Sequence, residues 1–274
     1  MNAEPHTASA QTKAQDSYDH IKGQIKSFKP DVGIILGTGL GGLVKDIDIK
    51  YKLDYKDIPH FPVSTVESHH GNLIFGKISG KKAVIMQGRF HFYEGYSHEE
   101  VTFPIRIMNT LGIKTLLVSN ACGGLNPVFK RSDLMIMSDH INFHFDTPFR
   151  NSGHSFFNRR VYDKDLVNLA YKTAIENKIT VRKGVYLSLR GPTLETRAEY
   201  RMARKLGADV VGMSTIPEAL LAIDHKMKVL GLSIITDMGL PDTLKPAAIT
   251  EILEAAAEAE PKLTLLTKKI IEKL

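Results

Sequence analysis

The sequence feature that most constrains the fold is an apolar, β-branched run that ends in a cluster of glycines. Residues 32–36 are Val, Gly, Ile, Ile and Leu, and Gly37, Thr38 and three further glycines follow by position 42. Val, Ile and Leu favour a buried, pleated backbone, whereas glycines let a turn bring its N–H groups close to a bound anion. The run therefore predicts a buried strand followed by an anion-binding loop, in which Thr38 adds a hydroxyl donor.

The same glycines also match a dinucleotide-binding pattern. Those at 37, 39 and 42 have Gly-x-Gly-x-x-Gly spacing, which needs a strand–helix context and an acidic residue about 20 positions further on. Asp54 lies near that distance, but residues 46–53 alternate like a strand and leave few positions for the helix of such a unit. Dinucleotide binding is therefore the minority interpretation.

Along the rest of the chain, strand-like runs alternate with helical patterns. Strands are predicted at 31–36, 73–78, 83–87, 115–119, 134–138, 184–190, 208–213 and 228–235. Residues 79–82 predict a hairpin turn between the second and third of these strands, and residues 120–127 predict a second glycine-rich loop. Helices are predicted at 18–28, 98–111, 162–177, from 196 onward, at 216–227, and over the last 28 or so residues, where Pro261 kinks or divides the helix. Capping boxes are predicted at 97–100 and 196–199, and residues 214–218 predict a cap, Ser214 and Thr215, followed by Pro217 in the first turn of the next helix. This alternation predicts an α/β fold, a three-layer sandwich in which a twisted, mostly parallel mixed sheet is flanked by helices.

Composition limits the class of protein. The chain has 274 residues, 43% of them apolar, which is enough for one large core, and we expect a single domain over 18–274. The first 17 residues are polar and are expected to be disordered, and no apolar run approaches the ~18 residues of a membrane span. The net charge of +6 is spread along the chain, so a small anionic substrate is favoured over nucleic acid.

The chain has a single cysteine, Cys122. One cysteine cannot form an intramolecular disulfide, and no Cys/His cluster has zinc spacing. We therefore expect a cytoplasmic protein with no metal, no membrane partner and no nucleic-acid partner.

Polar side chains follow several predicted strands, at the point where each strand ends. Ligands of open α/β sheets bind at these carboxyl ends. Hydrogen-bond donors gather there without matching acceptors, and one is a guanidinium able to bind two oxygens at once, as a phosphate requires. These donors are Thr38, Arg89, His91, Ser214 and the backbone amides near Ala121.

Acceptors and apolar groups follow other strands. Glu195 and Asp237 each lie just beyond a strand and supply acceptors. Tyr93, Met213 and the phenylalanines of residues 145–160 suit a flat or sugar-like body. The combination predicts a ligand that contains a phosphate, a heterocycle and a sugar.

Five ordered motifs resemble those of the trimeric purine nucleoside phosphorylases, over residues 20 to 260 or so. The motifs lie at 36–42, 87–96, 120–127, 191–196 and 207–218. The resemblance implies the nucleoside phosphorylase/hydrolase type of fold and a homotrimer. It also implies reversible phosphorolysis of purine (deoxy)ribonucleosides to the free base and (2-deoxy)ribose 1-phosphate, in purine salvage. Inorganic phosphate would be a co-substrate, and no cofactor is implied.

The resemblance also implies a role for each matching residue. Glu195 would accept from the purine N1 edge, and Asp237 would contact N7 and the C6 substituent. Tyr93 would meet the ribose 3′-hydroxyl, and Met213 would lie against the sugar. The phosphate site would consist of Thr38, His69, Arg89, His91, the Ala121 amide and Ser214, and the catalytic residues would be His91, Glu195 and Asp237.

Two departures from the family pattern leave the base specificity open. Members that prefer 6-oxopurines carry Asn at the position of Asp237, where an ionised Asp can only accept and would suit a 6-amino group. An apolar pocket beside Glu195 could instead keep Asp237 protonated, as a donor to N7. The 5′-hydroxyl contact, a histidine in many relatives, falls on Ala248 or Ile249. An adenosine-preferring enzyme or a 5′-methylthioadenosine phosphorylase is therefore the alternative.

Three further hypotheses concern other residues and another class of protein. Cys122 could be a nucleophile paired with a histidine, although small buried thiols are usually inert. A non-enzymatic nucleotide-binding module would bind the same ligand without releasing base. The irregular segment 145–160 predicts a lid or a subunit contact, and by resemblance Phe149, Phe156 or Phe157 would close the sugar site of a neighbouring subunit.

Overall fold

The structure is a computed structural model that describes residues 5–64, 70–148, 160–244 and 248–274, with side chains from residue 12 onward. Within these ranges the chain forms a nine-stranded sheet flanked by helices. The strands are β1 Val32–Leu36, β2 Asp48–Asp54, β3 Asn72–Ile78, β4 Lys81–Gln87, β5 Thr115–Gly124, β6 Leu134–Asn142, β7 Val181–Ser188, β8 Val210–Gly212 and β9 Lys228–Met238. The helices are α1 Pro5–Ile25, α2 His98–Thr110, α3 Lys164–Glu176, α4 Arg197–Lys205, α5 Ile216–Asp224 and α6 Ile249–Glu272.

The sheet is mixed and partly closed. Its strand order is β2-β3-β4-β1-β5-β8-β7-β6-β9, and β9 also pairs with β5, so β5 to β9 form a ring. β1 is parallel to β4 and β5, and β5 is parallel to β9. The carboxyl ends of these four strands therefore meet at one edge, which is where the predicted polar residues lie. The α/β class predicted from the sequence is confirmed, whereas the ring was not predicted.

The second glycine-rich segment is a strand rather than the predicted loop. β5 continues through Asn120 to Gly124, pairing with β9 on one side and at its end with β8 on the other. A Cβ at Gly124 would lie 2.6 Å from the sulfur of Met238, so glycine is needed for this close approach. Glycines here permit tight strand packing, which the sequence pattern alone does not distinguish from a turn.

Two helices extend beyond their predicted bounds. Residues 5–17, predicted to be disordered, form the first part of α1, where Ala14 and Ser17 are buried and the Ser17 hydroxyl donates to the carbonyl of Pro59. α6 runs through Pro261 without dividing, and Leu263 and Leu266 beyond the proline are buried. Packing against the rest of the molecule thus outweighs the local cost of the proline. The single domain over 18–274 stays a prediction.

The core has one large and one small cluster of buried apolar side chains. The large cluster fills the space between the sheet and helices such as α2, α5 and α6. The small cluster packs α4 against the ring, through Leu187, Tyr200, Ala203 and Val211 among others. α4 begins with a capping box between Thr196 and Glu199, as its sequence predicted. This packing fixes the position of Glu195, which lies directly before the cap.

Candidate active site

A cavity of about 350 Å³ opens at the edge where these strands end. Every predicted site residue that the structure describes lines it; His69 lies outside the described residues. The predicted residues at the cavity wall are Thr38, Arg89, His91, Tyr93, Ala121, Glu195, Met213, Ser214 and Asp237. The structure thus brings together side chains that are up to about two hundred positions apart in the sequence, as expected of a ligand site at the strand ends.

Arg89 lies at the centre of the donor group and is buried. Its Nε is 3.1 Å from Oε1 of Glu218, and the two side chains are only 2% and 4% exposed. Its Nη1 donates to the Ser119 carbonyl at 2.8 Å and to the Ser214 hydroxyl at 3.0 Å. The expectation of donors without acceptors is therefore corrected: Glu218, in the first turn of α5, is a buried acceptor for the guanidinium. These contacts hold the guanidinium in one orientation at the cavity wall.

Thr215 is part of this group and does not cap α5 as predicted. Its φ is +74° and its hydroxyl makes no cap bond. The hydroxyl oxygen instead accepts from Nη1 of Arg89 at 3.1 Å and from Nδ2 of Asn120 at 2.9 Å. A residue in this strained region costs about 1–3 kcal/mol and is typical of functional sites. Spacing alone indicated a helix start and did not reveal this contact.

The turn after β4 places His91 and Tyr93 side by side. Oε1 of Glu94 accepts from the backbone N–H of His91 at 2.8 Å and lies 2.9 Å from its Nδ1. The rings of His91 and Tyr93 stack with centroids 4.6 Å apart. Burial, together with the charge of Glu94, raises the pKa of Tyr93 to about 12, so its phenol is a neutral donor at neutral pH. Glu94, a residue of the recognised motif, is thus the group that orients His91.

The glycine loop after β1 is held tightly by the protein. The N–H of Gly37 donates to the Ser119 hydroxyl at 3.0 Å, and that of Gly42 to Oε1 of Glu260 at 2.7 Å. A Cβ at Gly37 would lie 2.3 Å from the carbonyl oxygen of Ser119. These glycines therefore serve close packing on β5 and α6. Thr38 remains the donor side chain that this loop brings to the cavity.

The two predicted acceptors form a second group at the cavity wall. Tyr200 hydrogen-bonds to the carboxyl group of Glu195, and Thr236 donates to Oδ1 of Asp237 at 3.0 Å. Burial raises the pKa of both carboxyl groups, and the charge of Asp237 raises that of Glu195 further. The Thr236 hydroxyl and the charge of Arg131 oppose this rise at Asp237.

Two members of the acceptor group were missed by the sequence analysis. Tyr200 lies on the buried side of α4, where its spacing indicates only a core residue. Arg131 follows β5 in a surface turn and carries no local signal. Arg131 acts on Asp237, which is more than a hundred positions away in the sequence. Tyr200 acts on Glu195, which is close in sequence, but the helical pattern around Tyr200 does not reveal this contact.

The apolar part of the cavity includes the start of α6. Ile249 and Ile252 line it, together with Leu194. Ile249 is 76% exposed. Of the two positions predicted for the 5′-hydroxyl contact, Ile249 is thus the one that the structure places at the cavity wall.

Cys122 lines the cavity but is held as a neutral thiol. It is buried, and its sulfur donates to the carbonyl of Ile234 at 3.3 Å. Burial and the nearby charge of Asp237 raise the pKa of this thiol well above its usual value. A nucleophilic cysteine needs the opposite shift.

Replacement of Cys122 by Ala is therefore expected to leave catalysis nearly intact. Because the thiol supplies packing and no reacting atom, kcat/KM should stay within about threefold of the parent value. The measurement is steady-state base release, with a thermal scan as the stability control. Complete loss of turnover in a folded variant would restore the cysteine-nucleophile hypothesis.

Among the described residues, no group of three or more His, Cys, Asp or Glu side chains is arranged to hold a metal ion. No helix within the described ranges has the length and apolar character that crossing a membrane requires.

Comparison with known proteins defines the class of this fold and site. The family model of the phosphorylase superfamily matches residues 31–272. The chain therefore belongs to the phosphorylase superfamily.

More closely related proteins narrow the class. The chain is 46% identical to purine nucleoside phosphorylase 1 of Bacillus subtilis, over 88% of this chain and 92% of the relative. It is similar to the crystal structure of a Schistosoma purine nucleoside phosphorylase in complex with hypoxanthine, with a TM-score of 0.89, 41% identity and coverage of 96% and 97%. It is also similar to the crystal structure of a Schistosoma mansoni purine nucleoside phosphorylase in complex with adenosine. The TM-score is 0.87 and the sequence identity 40%, with coverage of 97% of each chain. Within the superfamily the chain thus belongs to the purine nucleoside phosphorylase family, as its motifs predicted.

Proposed function

We propose that this protein is a purine nucleoside phosphorylase, which cleaves the N-glycosidic bond of purine (deoxy)ribonucleosides with inorganic phosphate and serves purine salvage. The observation that carries the proposal is the pairing of two groups at one cavity. One group contains the buried guanidinium of Arg89 with Ser214 beside it, and the other contains Glu195 and Asp237. An oxyanion and a nitrogen heterocycle are the partners that these groups suit.

Phosphate is the nucleophile in this mechanism. Arg89, Ser214, Thr38 and His91 orient its oxygens, and one oxygen forms a bond to C1′ as the bond from C1′ to N9 breaks. The transition state resembles an oxocarbenium ion, so the negative phosphate stabilises the positive sugar. No covalent intermediate with the protein is formed.

The bonding electrons of the broken bond pass to the purine. Glu195 accepts from the N1 edge, and a protonated Asp237 donates to N7, which stabilises the leaving base as its negative charge develops. Tyr93 meets the ribose 3′-hydroxyl and Met213 packs against the sugar. The fixed positions of these groups reduce the reorganisation needed at the moment of bond cleavage.

Asp237 lets the enzyme accept two classes of purine. As a carboxylate it accepts from a 6-amino group, and as a carboxylic acid it donates to N7 or O6 of a 6-oxopurine. The raised pKa of this side chain brings the acid form closer to neutral pH. The two Schistosoma structures, one in complex with hypoxanthine and one with adenosine, support 6-oxopurines and 6-aminopurines as ligands of this family.

A 5′-methylthioadenosine phosphorylase activity is the second candidate. The observation that favours it is Ile249, an apolar side chain at the cavity wall where many relatives have a polar 5′-hydroxyl contact. An apolar contact tolerates a methylthio group without leaving a buried polar group unpaired.

We further propose a cytoplasmic homotrimer that uses no cofactor. Support for a subunit contact comes from Phe145, which is 79% exposed and packs on Phe143 with ring centroids 4.5 Å apart. Phe143 is half-buried, so Phe145 is the exposed member of the pair, and an exposed aromatic ring of this kind suits an interaction surface. The phenylalanines predicted to close a neighbouring site, Phe149, Phe156 and Phe157, lie outside the described residues.

The proposal is tested by base release from inosine, guanosine, adenosine and 5′-methylthioadenosine, each with and without phosphate. We expect release only with phosphate, and comparable kcat/KM for at least one 6-oxopurine and for adenosine. A preference for 5′-methylthioadenosine would support the second candidate. Tight nucleoside binding with no release in any mixture would identify a binding module and reject the proposal.

A further inference from the structure

A second cavity of about 650 Å³ adjoins the acceptor group. Four residues line both cavities: Leu194, Glu195, Asp237 and Ile252. The two carboxyl groups assigned to the purine edge are therefore the shared wall between the cavities. The residues that line the second cavity without lining the first are Arg131, Arg197, Tyr200, Met238, Thr243, Leu244 and Glu251.

The geometry of a purine determines what points at this shared wall. C6 lies between N1 and the N7 side of the ring, so a substituent on C6 leaves the ring between the partners of those two atoms. The proposed function places Glu195 at N1 and Asp237 at N7. A C6 substituent is thus directed at the boundary between the two cavities, and beyond that boundary lies open space.

The second cavity offers apolar surface beside charged groups, so an apolar substituent can pack on part of its wall. Leu194, Met238, Leu244 and Ile252 contribute apolar surface to its walls. Its charged groups are partly engaged with one another, since Nη1 of Arg131 lies 4.0 Å from Oε2 of Glu251. Sites of about 300–1,000 Å³ hold whole drug-sized ligands, so this cavity has room for a ring of benzyl size.

We propose that the second cavity receives a bulky apolar substituent on the exocyclic N6, so that the enzyme cleaves N6-substituted adenosines. The inference rests on the proposed function and names a substrate class for the same site. A secondary amine at N6 keeps one N–H, which the carboxylate of Asp237 accepts as it accepts from adenosine. The substituent replaces the other hydrogen of the 6-amino group and adds burial of apolar surface on binding.

The test compares adenosine, N6-benzyladenosine and inosine as substrates of the parent and of Thr243→Trp. Thr243 is exposed and lines the second cavity. Its backbone N–H donates to the carbonyl of Leu240 at 3.1 Å, which closes a turn. The parent should cleave N6-benzyladenosine with kcat/KM within about tenfold of adenosine. In Thr243→Trp the indole fills the cavity, and kcat/KM for N6-benzyladenosine should fall at least about tenfold while adenosine and inosine are unchanged.

The control is Thr243→Ala, which leaves the cavity open and should leave all three values unchanged. Cleavage of adenosine without cleavage of N6-benzyladenosine by the parent would overturn the inference and leave the proposed function intact. Leu244→Phe is a second variant that adds bulk to the second cavity. If Thr243→Trp and Leu244→Phe each lower kcat/KM equally for all three substrates, the inference is also overturned. Failure to cleave adenosine and inosine by the parent would contradict the proposed function itself.

Discussion

The double variant Arg89→Gln/Glu218→Gln is expected to lose about 10²–10³ of kcat/KM for phosphorolysis, the effect of removing a preorganised charge contact from a buried site. Arg89 is the buried guanidinium at the cavity wall, and its orientation is fixed by Glu218 and by the hydroxyls of Ser214 and Thr215. Glutamine retains hydrogen-bonding groups at both positions but removes both charges. Compared with the parent, the double variant should have a higher KM for phosphate and a lower kcat.

The double variant is needed because the two side chains are buried together. Arg89→Gln alone leaves the carboxylate of Glu218 buried without its ionic partner, which costs about 3–5 kcal/mol of stability. Chemical denaturation should therefore show the single variant to be less stable than the double variant. The activity control is Glu218→Gln, which keeps the guanidinium and its bonds to Ser119 and Ser214. It also removes one partner of the buried pair and should be less stable than the parent, but it should retain much more activity than the double variant. An unchanged KM for phosphate in a folded double variant would exclude Arg89 from the phosphate site.

In Asp237→Asn, the ratio of kcat/KM for inosine to kcat/KM for adenosine is expected to rise by about 10- to 100-fold. This is the effect of one buried hydrogen bond that is gained with one substrate or left unmade with the other. The asparagine amide can donate to N7 or O6 at every pH, whereas the aspartate donates only when it is protonated. Because the pKa of Asp237 is raised by burial, lowering the pH converts more of the parent enzyme to the donor form. The parent ratio should therefore rise as the pH falls.

The variant itself serves as the reference for this pH dependence. Glu195 is present in both proteins and the substrates titrate identically, but the substitution also removes the charge that raises the pKa of Glu195. The difference between the two profiles therefore reports the loss of the Asp237 carboxyl group as a whole. We expect the ratio to depend much less on pH in Asp237→Asn than in the parent. The same slope in both proteins, or an unchanged ranking of inosine and adenosine, would show that this carboxyl group does not select the purine.

The sequence predicted the elements of the fold well because their signals are local. The hairpin of β3 and β4, the capping boxes at Ser97 and Thr196 and the strand before the glycine loop all depend on neighbouring residues. The ring formed by β5 to β9 was not predicted, because it depends on the pairing of β5 with β9 more than a hundred positions away. Local patterns carry no information about such a closure.

The residues that line the candidate site were predicted from the sequence, whereas the residues that hold them in position were not. Arg89 follows β4 and Asp237 lies near the end of β9, so their position at the sheet edge could be inferred from the order of the elements alone. Glu218 looked like an ordinary acidic residue in the first turn of a helix, and Thr215 looked like its cap. Their contacts with Arg89 arise only when the start of α5 lies beside the residue that follows β4, and local sequence patterns do not predict that packing.

The central claim is that this cavity catalyses phosphorolysis, and the most direct test follows both products of one reaction. Phosphorus NMR of the enzyme with inosine and phosphate should show ribose 1-phosphate appearing, in a one-to-one ratio with the hypoxanthine measured in the same samples by ultraviolet absorbance. No base should appear when phosphate is omitted, because phosphate is the nucleophile. Formation of free ribose at the same rate with and without phosphate would identify a hydrolase and contradict the account.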